Sequence, residues 1–347
     1  MPPSSRPPPP PPLAALTISG HFVAGMLGPV LRHGGEAAAR QVLQQAGIPG
    51  AFLQEPDSRI TRRQFVGTYK SVAAYLDDEM HGLWSRPIRG GTLKFMMLSL
   101  LDAANLAIAL NRFVQFWNLL LDDYRLVLTR EPTRIGIVLT PHQSGLEIRI
   151  LGHELMLKLV HGIVSWLLDS EVDLLGVEFA FARPAHWADY AFLYPGAVSF
   201  DAPHSAIWLD AAHGGTGFRR TRVELWPFLR RAPEDWAFTT VHAGLLSTRV
   251  RQALAADGIP SADADAIAAR LGLAKRTLTR RLEHEGRSFR GIRDDLRRDM
   301  AVQLLTQSRA SVDSIATLVG FDNTAAFCRA FKLWMQQSPG AYRNRSH

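Results

Sequence analysis

One short pattern occurs twice near the C-terminus, 48 to 49 residues apart, and it narrows the fold more than any other feature of the chain. The first copy runs Asp265, Ile267, Ala268, Gly272, Leu278, Arg280, Leu282, and the second Asp313, Ile315, Ala316, Gly320, Phe327, Arg329, Phe331. The offset grows from 48 to 49 after the glycine because the second turn is one residue longer. Each copy reads as a helix, a tight glycine turn and a second helix, the layout of a helix-turn-helix unit. Two such units close together suit a protein that reads a stretch of DNA.

The charge distribution agrees. Of the formal net charge of +7, all resides in residues 241–347, which hold 17 Lys plus Arg against 10 Asp plus Glu; the preceding 240 residues hold 22 of each sign. A neutral front and a basic back are expected when only the back approaches phosphates. At 347 residues the chain has room for two or three domains. Its single cysteine, Cys328, excludes an internal disulfide and a multi-cysteine zinc site, in keeping with a reducing cytoplasm. The most apolar stretch, Phe95 to Leu121, is cut by Asp102, Asn105, Asn111 and Arg112, so no membrane span is expected.

Along the chain, residues 1–12 with their proline run read as a flexible polyproline-like tail. Helices are expected over Gly20 to Leu31 and Glu36 to Gln45, divided at Gly34-Gly35, then from a Thr61/Gln64 capping box to about Asp78, and over Thr92 to Asp122. Arg125 to Thr129, Ile135 to Leu139 and Leu146 to Ile150 read as an antiparallel meander. A helix over His153 to Leu168 and strands over Leu175 to Ala182 and Ala206 to Leu209 follow, and Pro227 and Pro233 interrupt what comes next. The expected organisation is a tail (1–12), an α+β domain (13–215), a linker (216–240) and an all-α domain (241–347) with two helix-turn-helix units joined by a linker helix.

In the first unit, 100° per residue puts Leu278 and Leu282 on one face and Arg276, Thr279 and Arg280 on the other. Such a helix fits the major groove, where arginine grips guanine O6 and N7. Lys275, Arg281 and Arg287, with Arg270 and Arg290, are placed for phosphate contacts, which give affinity and register. In the second unit Phe327, Phe331 and Trp334 share the inner face, and Ala325, Arg329 and Lys332 the outer one. Thr324, Ala325 and Arg329 are its base-contact candidates and Lys332 its phosphate candidate; alanine can touch a thymine methyl but donates no hydrogen bond, so the second unit reads less. Between the units Phe289 to Thr306 reads as a helix about 27 Å long, comparable with the ~34 Å turn of DNA.

Ala264 to Arg343 resembles the DNA-binding domain of AraC/XylS-type transcriptional regulators. The residues that carry this are Leu278 with Arg280-Arg281-Leu282, Glu285-Gly286, Phe289, Arg297 four before Ala301, Leu304-Leu305, Ile315-Ala316, Gly320-Phe321, Phe327, Arg329, Phe331, Ser338-Pro339 and Tyr342-Arg343. The chain departs from the pattern at Ala274, where a serine N-cap is common, at Gln336, where glycine is usual, and at Ala325-Ala326. More weakly, Arg89-Gly90-Gly91, Tyr194-Pro195, Val198 to Phe200 and Leu209-Asp210 resemble the arabinose-binding-type sensor domain of one branch of the family. The resemblance implies a cytoplasmic, effector-responsive activator of bacterial transcription, with promoter DNA, RNA polymerase and a small-molecule effector as partners and a homodimer compatible with it. It names neither the effector nor its pocket. No membrane partner, catalytic residue, metal ligand or cofactor is expected: His153-Glu154 with His161 lacks zinc-protease spacing, no phosphate-binding glycine loop appears, and Cys328 sits among packing residues. Two alternatives stay open. One is a front-domain enzyme fused to a DNA-targeting tail, which in repair methyltransferases needs front-domain cysteines that this chain lacks; the other is an architectural DNA binder whose front domain only oligomerises. Most of the seven front-part tryptophans are expected in the core.

Overall fold

The computed structural model describes residues 17–55, 58–143, 145–239, 246–256, 262–284, 287–335 and 337–346; the expected proline tail, Glu285-Gly286 and Gln336 lie outside them. In chain order the elements are β1 (Thr17–Ser19), α1 (His21–Gln45), β2 (Arg59–Thr61), α2 (Arg62–Leu76), α3 (Thr92–Leu101), α4 (Leu106–Asn118), β3 (Tyr124–Arg130), β4 (Arg134–Pro141), α5 (Ile150–Leu167), β5 (Gly176–Glu178), α6 (Tyr190–Leu193), β6 (Val198–Ser199), β7 (Ser205–Asp210), α7 (Arg222–Arg231) and α8 (Glu234–Ala237). Seven further helices follow: α9 (Leu246–Ala256), α10 (Ala264–Arg270), α11 (Lys275–His284), α12 (Phe289–Gln307), α13 (Val312–Leu318), α14 (Thr324–Met335) and α15 (Pro339–Ser346). They fall into two compact units. The larger is Ser19–Gly50 with Arg63–His242, the smaller Met1–Ile18 with Ala51–Arg62 and Ala243–His347.

The larger unit is α+β, with a five-stranded sheet in the order β3-β4-β7-β5-β6. All neighbours are antiparallel except β5 and β6. Opposite Trp208, Gly136 leaves no room for a side chain, since a Cβ there would lie 2.3 Å from the Ile207 carbonyl and 2.5 Å from the Trp208 ring. Leu146 to Ile150 is not the meander's third strand. Leu146 and Ile150 lie on the surface and the chain enters α5 at Ile150, while β7, some 60 residues later in sequence, pairs with β4 instead. The expected strand over Leu175 to Ala182 shortens to β5, because Phe179 and Phe181 leave the ladder to join an aromatic cluster with Tyr190, Tyr194 and Phe200.

The helix α5 is the centre of this unit, with Leu151 through Leu167 all buried. It alone among the described residues is long and apolar enough to cross a membrane, yet 94% of it is covered by the protein's own packing. Gly162 allows the closest approach: a Cβ there would meet the Trp236 carbonyl at 2.2 Å, so α8 lies directly on α5. Helix α1 bends at Gly35 (φ 66°), where the sequence reading divides it. The stretch read as a linker instead holds α7 and α8. Pro227 lies inside α7 rather than ending it, in a helix started by the reciprocal Thr221–Glu224 capping box, and Leu225, Phe228 and Trp236 are buried. Five of the seven tryptophans of this part are core residues; Trp187 and Trp226 are half exposed.

Burial of histidines makes this unit acid-sensitive. His81 is pushed down to about 3 by burial, against the pull of the Tyr69 carbonyl, and His153 to about 4 by burial alone. Below the ordinary value of 6.5 the unfolded chain takes up protons that the folded histidines refuse, so stability falls with pH until the folded values are reached. Going from pH 7 to 5 should cost about 2 kcal/mol for each histidine. The urea midpoint followed by the fluorescence of Trp84, Trp117, Trp166, Trp208 and Trp236 should drop accordingly, and an unshifted midpoint contradicts the assignment.

In the smaller unit one core gathers Val250, Leu254, Ile267, Leu278, Leu282, Ile292, Leu296, Leu305, Ile315, Phe327 and Phe331. Helix α12 runs through it, about 28 Å long. Its Arg297 donates to the Gly320 carbonyl at 2.6 Å and lies over the Phe321 ring at 4.7 Å, tying the spacer to the second turn. Segments remote in sequence complete the unit: Thr17 and Arg59, from β1 and β2, converge on Asp299 of α12.

Candidate nucleic-acid interface

Both helix-turn-helix units are built the same way. Asp263 caps α10 by accepting from the Ala266 N–H at 2.8 Å, and Ser311 caps α13 through Ser314 at 3.1 Å. Each first helix closes on a left-handed glycine, Gly272 at φ 67° and Gly320 at φ 81°. The amides of Leu273 and Phe321 donate to Ala268 and Ala316, both at 2.9 Å, the same closing bond 48 residues apart. Nothing crowds Gly272, so its requirement is backbone conformation alone.

A second duplicated contact escaped the sequence reading. Asp265 binds the Lys275 ammonium at 2.6 Å, and its counterpart Asp313 accepts from the Thr324 hydroxyl at 2.5 Å. In each unit the repeated aspartate of the first helix thus holds the first residue of the second. The only signal was the recurrence of Asp in the pattern, whose partner in one copy is a cation and in the other a hydroxyl.

The second helices present what their periodicity implies. Leu278 and Leu282 of α11 are buried, and Arg276, Thr279, Arg280 and Arg281 are exposed. On α14, Phe327 and Phe331 are buried and Ala325, Arg329 and Lys332 exposed. Within the described residues, Arg276, Arg280, Arg281, Arg329 and Lys332 form no hydrogen bond or ion pair. Cations left unpaired in water can meet phosphates or base edges without first surrendering a partner. Other candidates are already engaged: Lys275 with Asp265, Thr324 with Asp313, and Arg287 with Asp295 at 2.7 Å, while Arg290 lies 3.7 Å from Asp294 and Arg270 donates to the Ala253 carbonyl. Asn323, just before α14, caps it through the Ala326 N–H at 2.8 Å. The outward face of α11 therefore carries four polar side chains, three of them cations, and that of α14 carries two separated cations beside an alanine.

Comparison with known proteins agrees with this geometry. Residues 37–214 match the model of the arabinose-binding domain of AraC transcription regulators, N-terminal, and residues 267–345 match that of a helix-turn-helix domain. The chain is 25% identical over 308 residues to the ornithine utilization regulator of Pseudomonas aeruginosa, covering 88% of this chain and 91% of that one. It is 33% identical over 199 residues to the HTH-type transcriptional regulator VqsM of the same organism, covering 54% and 60% of the two chains. It is also 39% identical over 82 residues to the urease operon transcriptional activator of Escherichia coli, covering 24% and 28%. With the first model spanning half its length and the second lying over the two glycine turns, the chain belongs to the AraC-type family of DNA-binding transcription regulators.

Proposed function

We propose that this regulator is an effector-responsive activator whose first helix-turn-helix unit supplies most of the sequence discrimination and whose second mainly anchors. The observation that carries this is the difference between the outward faces of α11 and α14. Arg276, Thr279 and Arg280 are assigned to base edges, with Arg329, Ala325 and Thr324 contributing in the second unit; Arg281 and Lys332 are assigned to phosphates, joined by Lys275 and Arg287 when their aspartates release them. DNA reading is placed in residues 241–347 and effector sensing in residues 13–215. A cytoplasmic protein that acts as a homodimer and engages RNA polymerase beside a promoter fits this reading. The similarity to a relative named as a urease operon activator favours activation, and the match to an ornithine utilization regulator along most of both chains favours a small metabolite as the effector.

The phosphate assignment is tested by salt. Arg281→Ala and Lys332→Ala should each reduce the slope of log affinity against log salt by about 1, and should weaken target and random duplexes alike. A slope unchanged in both variants contradicts the assignment.

A further inference from the structure

The larger unit contains a cavity of about 580 Å³, within the range of small-molecule sites, that opens to solvent between α2, α3, α4, α5, α7 and α8. Its interior is apolar, with Trp117, Met80, Met96, Leu159 and Trp236 among its walls. Trp117 and Trp236 are each only 2% exposed, and neither indole N–H has a hydrogen-bond partner among the described residues. Trp84 and Trp208, which do not line the cavity, share this feature, so Trp117 and Trp236 contribute to it as apolar wall.

The charges around the cavity state what ligand it suits. Its single carboxylate, Glu79, is already occupied, accepting from the amides of Gly91 at 2.6 Å and Leu93 at 2.8 Å at the start of α3. The three cations, Lys70, Lys94 and Arg230, have no carboxylate partner among the described residues. Lys94 lies 5.1 Å from the Phe95 ring and 5.5 Å from that of Trp226, and Lys70 donates to the Arg230 carbonyl at 3.2 Å. A cationic ligand, a protonated amine included, would meet three like charges against one carboxylate that already accepts two amides. We infer that this cavity is the effector site and that it takes an apolar carboxylic acid, its carboxylate against Lys94, Lys70 and Arg230 and its body against Trp117 and Trp236. The inference rests on the effector-responsive reading above and specifies it. Helices α7 and α8, which line the cavity with Trp226, Arg230 and Trp236, are the last described elements before the chain reaches α9 of the DNA-binding unit.

The test uses the full-length protein and two acids, octanoate and 4-phenylbutyrate, each beside its matched alcohol, with tryptophan fluorescence and thermal shift as readouts. Both acids should bind and raise the melting temperature, about tenfold or more tighter than the alcohols. Lys94→Met should erase that difference, and Ala73→Phe, which fills the cavity from α2, should abolish binding of all four. If Ala73→Phe fails to fold, Lys94→Met decides alone. Absence of acid binding to the wild type, equal binding of acids and alcohols, or acid preference that survives Lys94→Met overturns the proposal. Affinity for promoter DNA measured in the same samples separates the two readings. Acid binding that leaves DNA affinity unchanged keeps the site and overturns effector responsiveness; specific DNA binding with no acid binding overturns the site alone.

Discussion

Replacing Asp299 by alanine should destabilise the smaller unit by about 3 to 5 kcal/mol, the usual consequence of removing one partner from a buried ionic cluster. Asp299 is 3% exposed and accepts from the Thr17 hydroxyl at 2.5 Å, from Arg251 at 2.7 Å and from Arg298 at 3.3 Å, with Arg59 at 3.9 Å. Burial pushes its carboxyl upward, but Arg298, Arg251 and Arg59 together with the Thr17 hydroxyl outweigh this and hold it below the ordinary value of 3.8. A depressed carboxylate contributes stability that is fully present above the unfolded value and is lost as pH falls through the folded one, so neutral pH is where the substitution costs most. The alanine variant strands Arg251 and Arg59, both largely buried, without their shared counter-charge. Chemical denaturation of the full chain, read by the helical signal, should show the smaller unit melting first. A Thr17→Val variant loses one hydrogen bond rather than a charge and should cost about 1 kcal/mol. Equal and small losses in both variants would show that the cluster is not what holds β1 and β2 to α12.

The double variant Arg276→Ala with Arg280→Ala should lose most of the discrimination between target and random duplex. Each good base contact discriminates by roughly 1 to 3 kcal/mol, so the pair accounts for about 2 to 6 kcal/mol, a factor of roughly 30 to 10⁴. Because both side chains are exposed and unpaired among the described residues, the fold should not notice their removal. Arg276→Lys with Arg280→Lys separates charge from geometry: lysine keeps the charge but not the bidentate fork, so salt dependence should persist while discrimination falls. Arg329→Ala should cost less than either. A specificity ratio unaltered in the alanine double variant would remove α11 as the principal reader.

What could be read from the sequence was what local periodicity and glycine conformation dictate. The two glycine turns, the buried faces of α11, α12 and α14 and the break in α1 at Gly35 all depend on neighbours a few residues away. Pairings across long stretches of chain carry no such signal. Leu146 to Ile150 alternates like a strand, but β4 is paired by β7 instead, and nothing local says so. Pro227 reads as a breaker, yet α7 continues through it. The candidate reading face was legible because its residues share one helix; the aspartate contacts behind it were not, since Asp265 and Asp313 reach their partners across a turn. The cavity was illegible for the same reason, being assembled from six helices.

The contribution of Thr17 and Arg59 to the smaller unit bears on how the protein can be cut. The helix-turn-helix match begins at residue 267, and a fragment chosen from it, or from Ala243 onward, omits both residues and β2. A fragment from Ala243 would keep Asp299 with Arg251 and Arg298 but lose the hydroxyl and the third guanidinium, one from residue 267 would lose Arg251 as well, and in both Tyr342 would lose the Arg59 carbonyl to which its hydroxyl donates at 3.2 Å. The stretch of chain that aligns as a DNA-binding module is thus shorter than the body that folds as one, and a truncated protein is an incomplete stand-in for it.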